Sequence, residues 1–514
     1  MSSEDRHVQN TEEITAKYDV IIIGSGLGGL LCGHILCKEG LNVCIIEKQP
    51  LPGGNLLTFT KHGKKFETGV HYIGALGPGQ PLNRYWNYFG LINKLKFKQL
   101  DINGFDIIGF GDEEFPLAQG FSNFREQLIP FFPDAAEELS TYIKHIRQIA
   151  SSFALYNLEL PTDQQGHPFS DISACNFFHD VASGKSHPGS GTPLASVLAG
   201  NNFLYGGSSL APLNLAALIS HSFISGAYRI VGGSDQIAEI LASEIITMGG
   251  SILTSRKVSA IEPVNNEFRI TAGNHEIFHS RIVISNIHPA STISMMPEGS
   301  WRPAFRKRIT GLKNTVAPFI LFISLKPGTF PYLNHNFYFH STTNPWISES
   351  NNEALWPSMY LLSTACHHIE QQFAETVTIL TYMEFNEVKK WEQTSVGKRG
   401  QEYLDFKNER AEKLLNLVSQ KFPSLRHSIA FMEISTPLTY HDYTGTPDGS
   451  LYGIQKSYSE PEATLITPKT KIPNFYFTGQ NINLHGVLGV TVGAVMTCGE
   501  ILGHEYLLKK IKDV

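Results

Sequence analysis

The stretch from Asp19 to Glu47, DVIIIGSGLGGLLCGHILCKEGLNVCIIE, limits the possible folds more than any other. Val20, Ile21, Ile22 and Ile23 form a short unbroken apolar run, the pattern of a parallel strand buried on both faces. Gly24, Gly26 and Gly29 follow in G-x-G-x-x-G spacing. The first glycine makes the tight turn, the second lets a pyrophosphate approach the backbone, and the third lets the helix pack close to the strand. Leu27, Leu30, Leu31, His34 and Ile35 recur at helical spacing, so an amphipathic helix is expected, with Gly40 placed to stop it. Asn42 to Ile46 reads as the second strand and ends in Glu47. A carboxylate about 20 residues past the turn can accept hydrogen bonds from both ribose hydroxyls of an adenosine. The diphosphate of such a ligand belongs at the helix N-terminus, where free N–H groups and the helix dipole favour negative charge.

Composition narrows the remainder. The 514 residues suffice for two to three domains' worth of core. The net charge of -6 comes with no long basic run, which argues against nucleic acid as a partner. No run of about 18 apolar residues is present, so no spanning helix is expected. Residues 1–17 are polar, carry Glu4, Glu12 and Glu13, and lack a secretory pattern; they read as a disordered tail, with the fold starting at Lys17 or Tyr18. The six cysteines form no C-x-x-C pair, and Cys32, Cys37 and Cys44 fall inside the first βαβ unit as small apolar residues. A reduced, cytoplasmic setting and no metal site are expected.

Beyond Glu47, Gly53 and Gly54 again allow close approach to a ligand. With Thr58, Gly63, Glu67, Gly69 and His71 they form a second block that a plain NAD-binding unit does not need and a larger flavin dinucleotide does. Residues 80–225 change texture, with helical patterns such as Asp134 to Leu155 broken by loops at Pro161 to Pro168 and Ser183 to Pro193. They read as an insertion. Its aromatics (Phe131, Phe132, Phe153, Tyr156, Phe177, Phe178, Phe203, Tyr205) suit either an apolar tunnel or plain core, and LIPFFP at Leu128 to Pro133 reads as an exposed aromatic patch able to touch a membrane. At Gly232 and Gly233 the chain returns to the nucleotide-binding domain through a helix and short strands, a return that sets the backbone of Val258 to bond an adenine edge. Residues 291–460 supply a second lobe, with strands at Ala317 to Leu325 and Thr376 to Tyr382, a helix at Phe406 to Phe422, and a Tyr- and Gly-rich loop carrying Tyr440, Tyr443, Gly449, Tyr452 and Gly453. The ending NFYFTGQNINLHGVLGV reads as a strand, an exit at Thr478, Gly479 and Gln480, a tight approach from Gly486 through Leu488 to Gly489, and a helix aimed at the ligand.

The expected fold is therefore α/β: a Rossmann-like FAD-binding domain with a parallel sheet, and an inserted α+β substrate domain with a mixed or antiparallel sheet and a helical cap. Residues 18–79, 226–290 and 461–514 form the first, residues 80–225 and 291–460 the second. No second G-x-G-x-x-G occurs in βαβ context, so electrons must pass to or from the flavin through an external donor or acceptor.

Taken in order, VIIIGSGLGG…IIEK, PGG…FETGVHYIG, VGGSDQIAE, TPLTYHDYTG…YG and YFTGQNINLHGVLG resemble the phytoene desaturase, carotenoid isomerase and retinol saturase group of flavoproteins, with FETGVHYIG and FTGQ most like retinol saturase. In that group the position of Glu67 is commonly Asp. The resemblance implies bound FAD, an apolar polyene or lipid-like substrate, and peripheral membrane contact. It implies cofactor contacts at Gly24, Ser25, Gly26, Gly29, Glu47, Lys48, Gly54, Asn55, Leu56, Val258 and Gly479, with Gln480 and Leu488 beside them at the terminal exit. Saturation, desaturation and isomerisation all begin from hydride exchange at the flavin, with His71 and Tyr443 as candidates for proton handling. The alternatives are an amine oxidase- or porphyrinogen oxidase-like enzyme and a non-enzymatic lipid carrier of the same fold.

Overall fold

The computed structural model describes residues 15–160, 168–346, 356–482 and 484–514. Among these, two seven-stranded sheets carry the architecture. In the first, strand Thr15–Ile23 lies between Val43–Ile46 and Glu276–Ser285, parallel to both, and Ser251–Leu253 extends the sheet beyond Val43–Ile46. Phe475–Phe477 pairs in parallel with the C-terminal end of Glu276–Ser285. The strands Val258–Val264 and Glu267–Ala272 add an antiparallel meander at the opposite end of that same strand. Val20, Ile21 and Ile22 are wholly buried, as the unbroken apolar run requires.

The strand begins at Thr15, pairing Ala16 with Phe278 and Lys17 with His279, two residues before the expected start of the fold. The rest of the expected tail, residues 1–14, lies outside the described residues, as does all of the Pro161 to Pro168 loop except Pro168. The helix Leu27–Lys38 differs from expectation in kind: it is buried all round from Leu27 to Cys37 rather than amphipathic. The cause is its sequence. Cys32, Leu36, Cys37 and three glycines leave it no polar face, so the helices Asp235–Thr247 and Gly486–Leu502 both pack against it.

The second sheet runs in the order Ile429–Ser435, Ala317–Leu325, Thr376–Met383, Met359–Thr364, Asn336–His340, Asp106–Phe110, Glu113–Leu117. It is antiparallel except where Asn336–His340 meets Asp106–Phe110. Its last two strands come from the insertion read as helical, and they form a hairpin about Gly111, whose φ of +59° suits a residue without Cβ. The cap proper consists of Ala136–Ser151, Ala174–Ala182 and Leu213–Ser225. Helix Gln401–Lys421 covers the other side of the sheet. The stretch around Tyr440 is a helix, Pro437–Thr444, rather than a loop, because Thr436 and Thr439 close a capping box around Pro437. A small third sheet, Ile73–Gly74, Ala227–Ile230 and Phe97–Gln99, joins the two halves.

Most of the insertion's aromatics are core. Phe131, Phe132, Phe177, Phe178 and Tyr205 belong to one apolar cluster with the second sheet and the cap. The LIPFFP segment is not an exposed patch: Leu128 and Phe132 are buried, and Phe132 stacks on Phe115 with centroids 5.6 Å apart.

Candidate functional site

Glycines from distant parts of the chain meet at the C-terminal edge of the first sheet. A Cβ on Gly28 would lie 3.0 Å from the Gly479 Cα, and one on Gly54 would lie 3.1 Å from the Gly26 Cα. Asn286, directly after strand Glu276–Ser285, sits between them and donates from Nδ2 to the Gly24 carbonyl at 3.2 Å. This convergence opens one end of a continuous cavity of ≈ 1790 Å³. Ligand pockets commonly measure about 300–1,000 Å³, so this space exceeds the needs of a single small molecule.

The glycine-rich end is lined by Gly24, Gly26, Gly28, Glu47, Lys48, Val258, Gly479 and Gln480. Glu47 is buried; its Oε2 accepts from the Ser25 N–H at 2.9 Å and the Ser25 hydroxyl at 2.7 Å, and its Oε1 accepts from the Gln49 N–H at 2.8 Å. A carboxylate offers about four acceptor positions, so about one remains for a ribose hydroxyl rather than the expected pair. Lys48 donates to the Asp442 carbonyl at 3.0 Å, and burial lowers its pKa. Two helices start on the cavity wall, Leu27–Lys38 after Gly26 and Gly486–Leu502 after His485. Neither has a side-chain cap or an acidic residue in its first turn, so their N–H groups are left for an anionic or carbonyl ligand.

Asn55, Leu56, Gly69, His485 and Leu488 line the cavity beyond this end. It continues into an apolar chamber walled by Tyr72, Phe153, Tyr156, Leu204, Leu218, Phe223, Tyr440 and Tyr452. Tyr440 donates to the Thr68 carbonyl, and His485 bonds the Leu204 carbonyl at 2.8 Å while stacking on Tyr452 at 4.2 Å. Burial pushes His485 down to about 4, so the ring is neutral near pH 7. Lys456, also on the wall, donates to the carbonyls of Thr464, Asn481 and Ile482 at 2.9, 3.0 and 3.0 Å. Burial lowers it to about 7. It ties the terminal glycine segment to the strand-poor stretch before it.

Of the residues expected to hold the cofactor, Gly24, Gly26, Glu47, Lys48, Gly54, Asn55, Leu56, Val258, Gly479, Gln480 and Leu488 line this one cavity. Ser25 and Gly29 lie behind its wall. Ser25 is fully buried, bonding Glu47 and accepting from the Gly53 N–H at 3.3 Å. Gly29 lies against the Gly24 carbonyl, where a Cβ would come within 2.1 Å; it is the close contact between helix and strand. Gly232 and Gly233 line no part of the cavity either. Gly232 pairs through its N–H with the Cys366 carbonyl, and Gly233 abuts Asp235 and Lys65.

The two candidates for proton handling are not brought together. Tyr443 is 53 % exposed on the rim of the glycine-rich end, where its carbonyl accepts from Gln49 Nε2 at 2.7 Å. His71 lies outside the main cavity, with Nδ1 3.9 Å from Glu67 Oε2. That contact is a neutral pair rather than an ion pair. Burial, followed by the charge of Arg229, drives His71 down to about 4, and burial raises Glu67 to about 8. The residues that the sequence did not mark for function are Tyr72, Lys456 and His485. Tyr72 adjoins His71 in a block already singled out, whereas nothing in GIQKSYSE marked Lys456.

The neutral Glu67 has a consequence for stability. Its proton is held more tightly in the folded protein, at about 8, than at the ordinary value of 4.5. The folded state therefore binds more protons between those values, and stability falls as pH rises from 4.5 to about 8. His71, Arg229, Asp235 and Lys65 are the charged or titratable neighbours. Glu67→Gln removes the titration, so its stability relative to the parent should rise by a few kcal/mol, on the order of the linkage value, between about pH 5 and pH 8. Urea unfolding at the two pH values measures this; a constant difference would show that Glu67 is ionised in the fold.

A family model described as an NAD(P)-binding Rossmann-like domain matches residues 22–89. The human all-trans-retinol 13,14-reductase is 25% identical, the match covering 96% of this chain and 87% of that protein. Prolycopene isomerase 1 from an Oncidium hybrid cultivar is 22% identical over 99% of this chain and 87% of its own. The chain is similar to the retinol 13,14-reductases and prolycopene isomerases over nearly its whole length. A redesigned putrescine oxidase superposes with a TM-score of 0.63 at 15% identity, covering 97% of this chain and all of that one, which shows a shared fold. These relatives match nearly end to end, so the cap and second sheet belong to the same homologous unit as the glycine cradle. No helix among the described residues is long and apolar enough to cross a membrane.

Proposed function

We propose that the protein is an FAD-dependent oxidoreductase acting on a conjugated, apolar polyene of the retinoid or carotenoid class. The observation that carries this reading is the single cavity joining a glycine cradle to an aromatic and aliphatic chamber. Two uncapped helix starts and an acidic residue with a spare acceptor position suit a dinucleotide at one end. The other end offers an extended hydrocarbon a dry wall. Bound FAD supplies hydride exchange at a substrate carbon. The chain's own groups orient both molecules and exclude water: Gly26, Gly54 and Gly479 admit the diphosphate, Glu47 holds the ribose, and Val258 meets the adenine edge. The start of Gly486–Leu502 faces the ring, and Leu204, Phe223 and Tyr452 pack on the polyene. The segments 18–79, 226–290 and 461–514 bind the cofactor; 80–225 and 291–460 bind the substrate.

The named activities of the relatives, reduction of all-trans-retinol and isomerisation of prolycopene, favour this substrate class over amines. The reading also includes an external electron donor or acceptor and contact with a lipid surface that supplies the substrate. The purified protein should be yellow, or become so with FAD. Reduced anaerobically, it should convert a retinoid or carotenoid from a panel, with products read by chromatography and mass. A colourless protein that takes up no FAD, or hydrogen peroxide release from amines with no polyene turnover, would overturn the assignment.

A further inference from the structure

Next to the apolar chamber lies a separate side chamber of ≈ 60 Å³ bounded by His71, Tyr72, Tyr338 and Tyr452. Tyr72 and Tyr452 stand in both walls. One water needs roughly 10–15 Å³ and two to four polar partners, so the side chamber has room and donors for water. The Tyr72 hydroxyl donates to Asp106 Oδ2 at 2.9 Å and meets the Tyr338 hydroxyl at 2.6 Å. Asp106 is fully buried; Asn201 and Asn336 donate to it at 3.0 and 2.9 Å, and Arg229 stands behind Asn336. A carboxyl in such a place is costly to keep unless it is hydrogen-bonded or neutral. Burial raises it to about 6, against the pull of its hydrogen-bond donors. The titratable or charged groups facing it include Tyr72, Tyr338 and Arg229. A network serving packing alone would close within the core, whereas this one ends on a residue in the wall of the substrate chamber.

The inference rests on the polyene-reducing reading above and deepens it. Saturating a conjugated double bond adds a hydride to one carbon and a proton to another. The hydride and its two electrons come from reduced flavin, which is oxidised; the proton must come from the protein. We infer that Tyr72, its hydroxyl held by Asp106, donates that proton and is recharged from the side chamber through Tyr338. In the step, the Tyr72 O–H bond breaks as the new C–H bond forms. The phenolate takes a proton from the Tyr338 hydroxyl 2.6 Å away, Tyr338 takes one from water in the side chamber it lines, and the hydroxide left there is neutralised by a proton from bulk solvent. Burial keeps the Tyr72 hydroxyl well above the ordinary phenol value, so the phenolate is a strong base and does not persist.

The test uses flavin-loaded protein, reduced anaerobically, with all-trans-retinol as probe in deuterated water. The parent should place one solvent deuterium in the product. Tyr72→Phe should lower the rate of saturation by about 100-fold or more, the usual scale of general-acid catalysis, with flavin spectrum and retinol binding unchanged. A second readout needs no turnover: with 3-fluorotyrosine incorporated, the Tyr72 fluorine resonance should shift with a midpoint near pH 6, and Asp106→Asn should abolish the shift. Should Tyr72→Phe fold poorly, that resonance in the parent still decides. A Tyr72→Phe enzyme within about threefold of the parent, or a resonance that ignores pH, overturns the inference alone. A parent protein that binds retinol and saturates nothing overturns the polyene-reducing reading, and this inference with it.

Discussion

Gly28→Ala should yield a protein that cannot keep a flavin. The added Cβ would stand 2.6 Å from Asn286 Oδ1 and 3.0 Å from both the Cα and N of Gly479. Two of these atoms are backbone, so no side-chain rotation relieves the contact. Either the first helix or the terminal exit must shift by several tenths of an ångström, and both carry the cavity wall. Overpacking of this kind costs about 1–3 kcal/mol. The loss of cofactor affinity should be greater still, because the shift separates segments that would hold the same diphosphate. The measurement is visible absorbance after purification, with FAD titration into the apo-protein; affinity should weaken by at least about 100-fold, or roughly 2.7 kcal/mol. Gly493→Ala is the control. Its Cβ would meet only the Gly479 carbonyl, at 4.0 Å, inside helix Gly486–Leu502, where alanine is the better helix former. If both variants retain flavin equally, the close approach of the two ends of the chain does not govern binding.

Arg229→Ala should be the most destabilising single change outside the cradle. Arg229 is buried at 1 % exposure on the strand Ala227–Ile230. Its Nη1 donates to the Tyr332 hydroxyl, the Leu333 carbonyl and Thr364 Oγ1 at 3.0, 2.6 and 3.3 Å. Its Nη2 donates to the His335 carbonyl, Asn336 Oδ1 and Ser363 Oγ at 3.0, 2.9 and 3.3 Å. These bonds fasten the small third sheet to the second sheet. Truncation opens a void and leaves the His335 carbonyl without its donor, worth about 1–3 kcal/mol when buried and unmet, while Thr364 Oγ1 still donates to the Leu333 carbonyl. A total near 3–5 kcal/mol follows, read as a lowered midpoint of urea unfolding. Arg229→Met fills more of the space yet restores none of the bonds, so it should fall between alanine and the parent. A midpoint for Arg229→Ala close to the parent's would mean that water takes over the guanidinium's partners.

The first βαβ unit was legible because its signals are local. An unbroken apolar strand, three glycines and a closing acidic residue all fall within one short window. The terminal strand and helix were readable for the same reason. The hairpin Asp106–Phe110 and Glu113–Leu117 was not, because it lies at the edge of the second sheet and carries Glu113, Glu114 and Pro116, which argue against a strand in most settings. Helix Pro437–Thr444 hid behind Thr, His and Tyr, which are indifferent helix formers; its cap decides it. Side-chain direction was beyond any sequence window. His71 and Tyr72 are neighbours, yet only the tyrosine stands in the wall of the main cavity. The importance of Asp106 was equally hidden, since its partners Tyr72 and Asn336 lie 34 and 230 positions away.

The cradle is assembled from the two extremes of the polypeptide, with Cys32 and Thr478 in contact although 446 positions apart. During synthesis the first βαβ unit emerges long before the segment that completes its ligand cleft. On the proposed function, cofactor loading would therefore wait until the segment around Thr478 had left the ribosome. The yellow colour expected of that function would then report translation past this segment, and a product stopped before it, however well its earlier part folds, would remain empty.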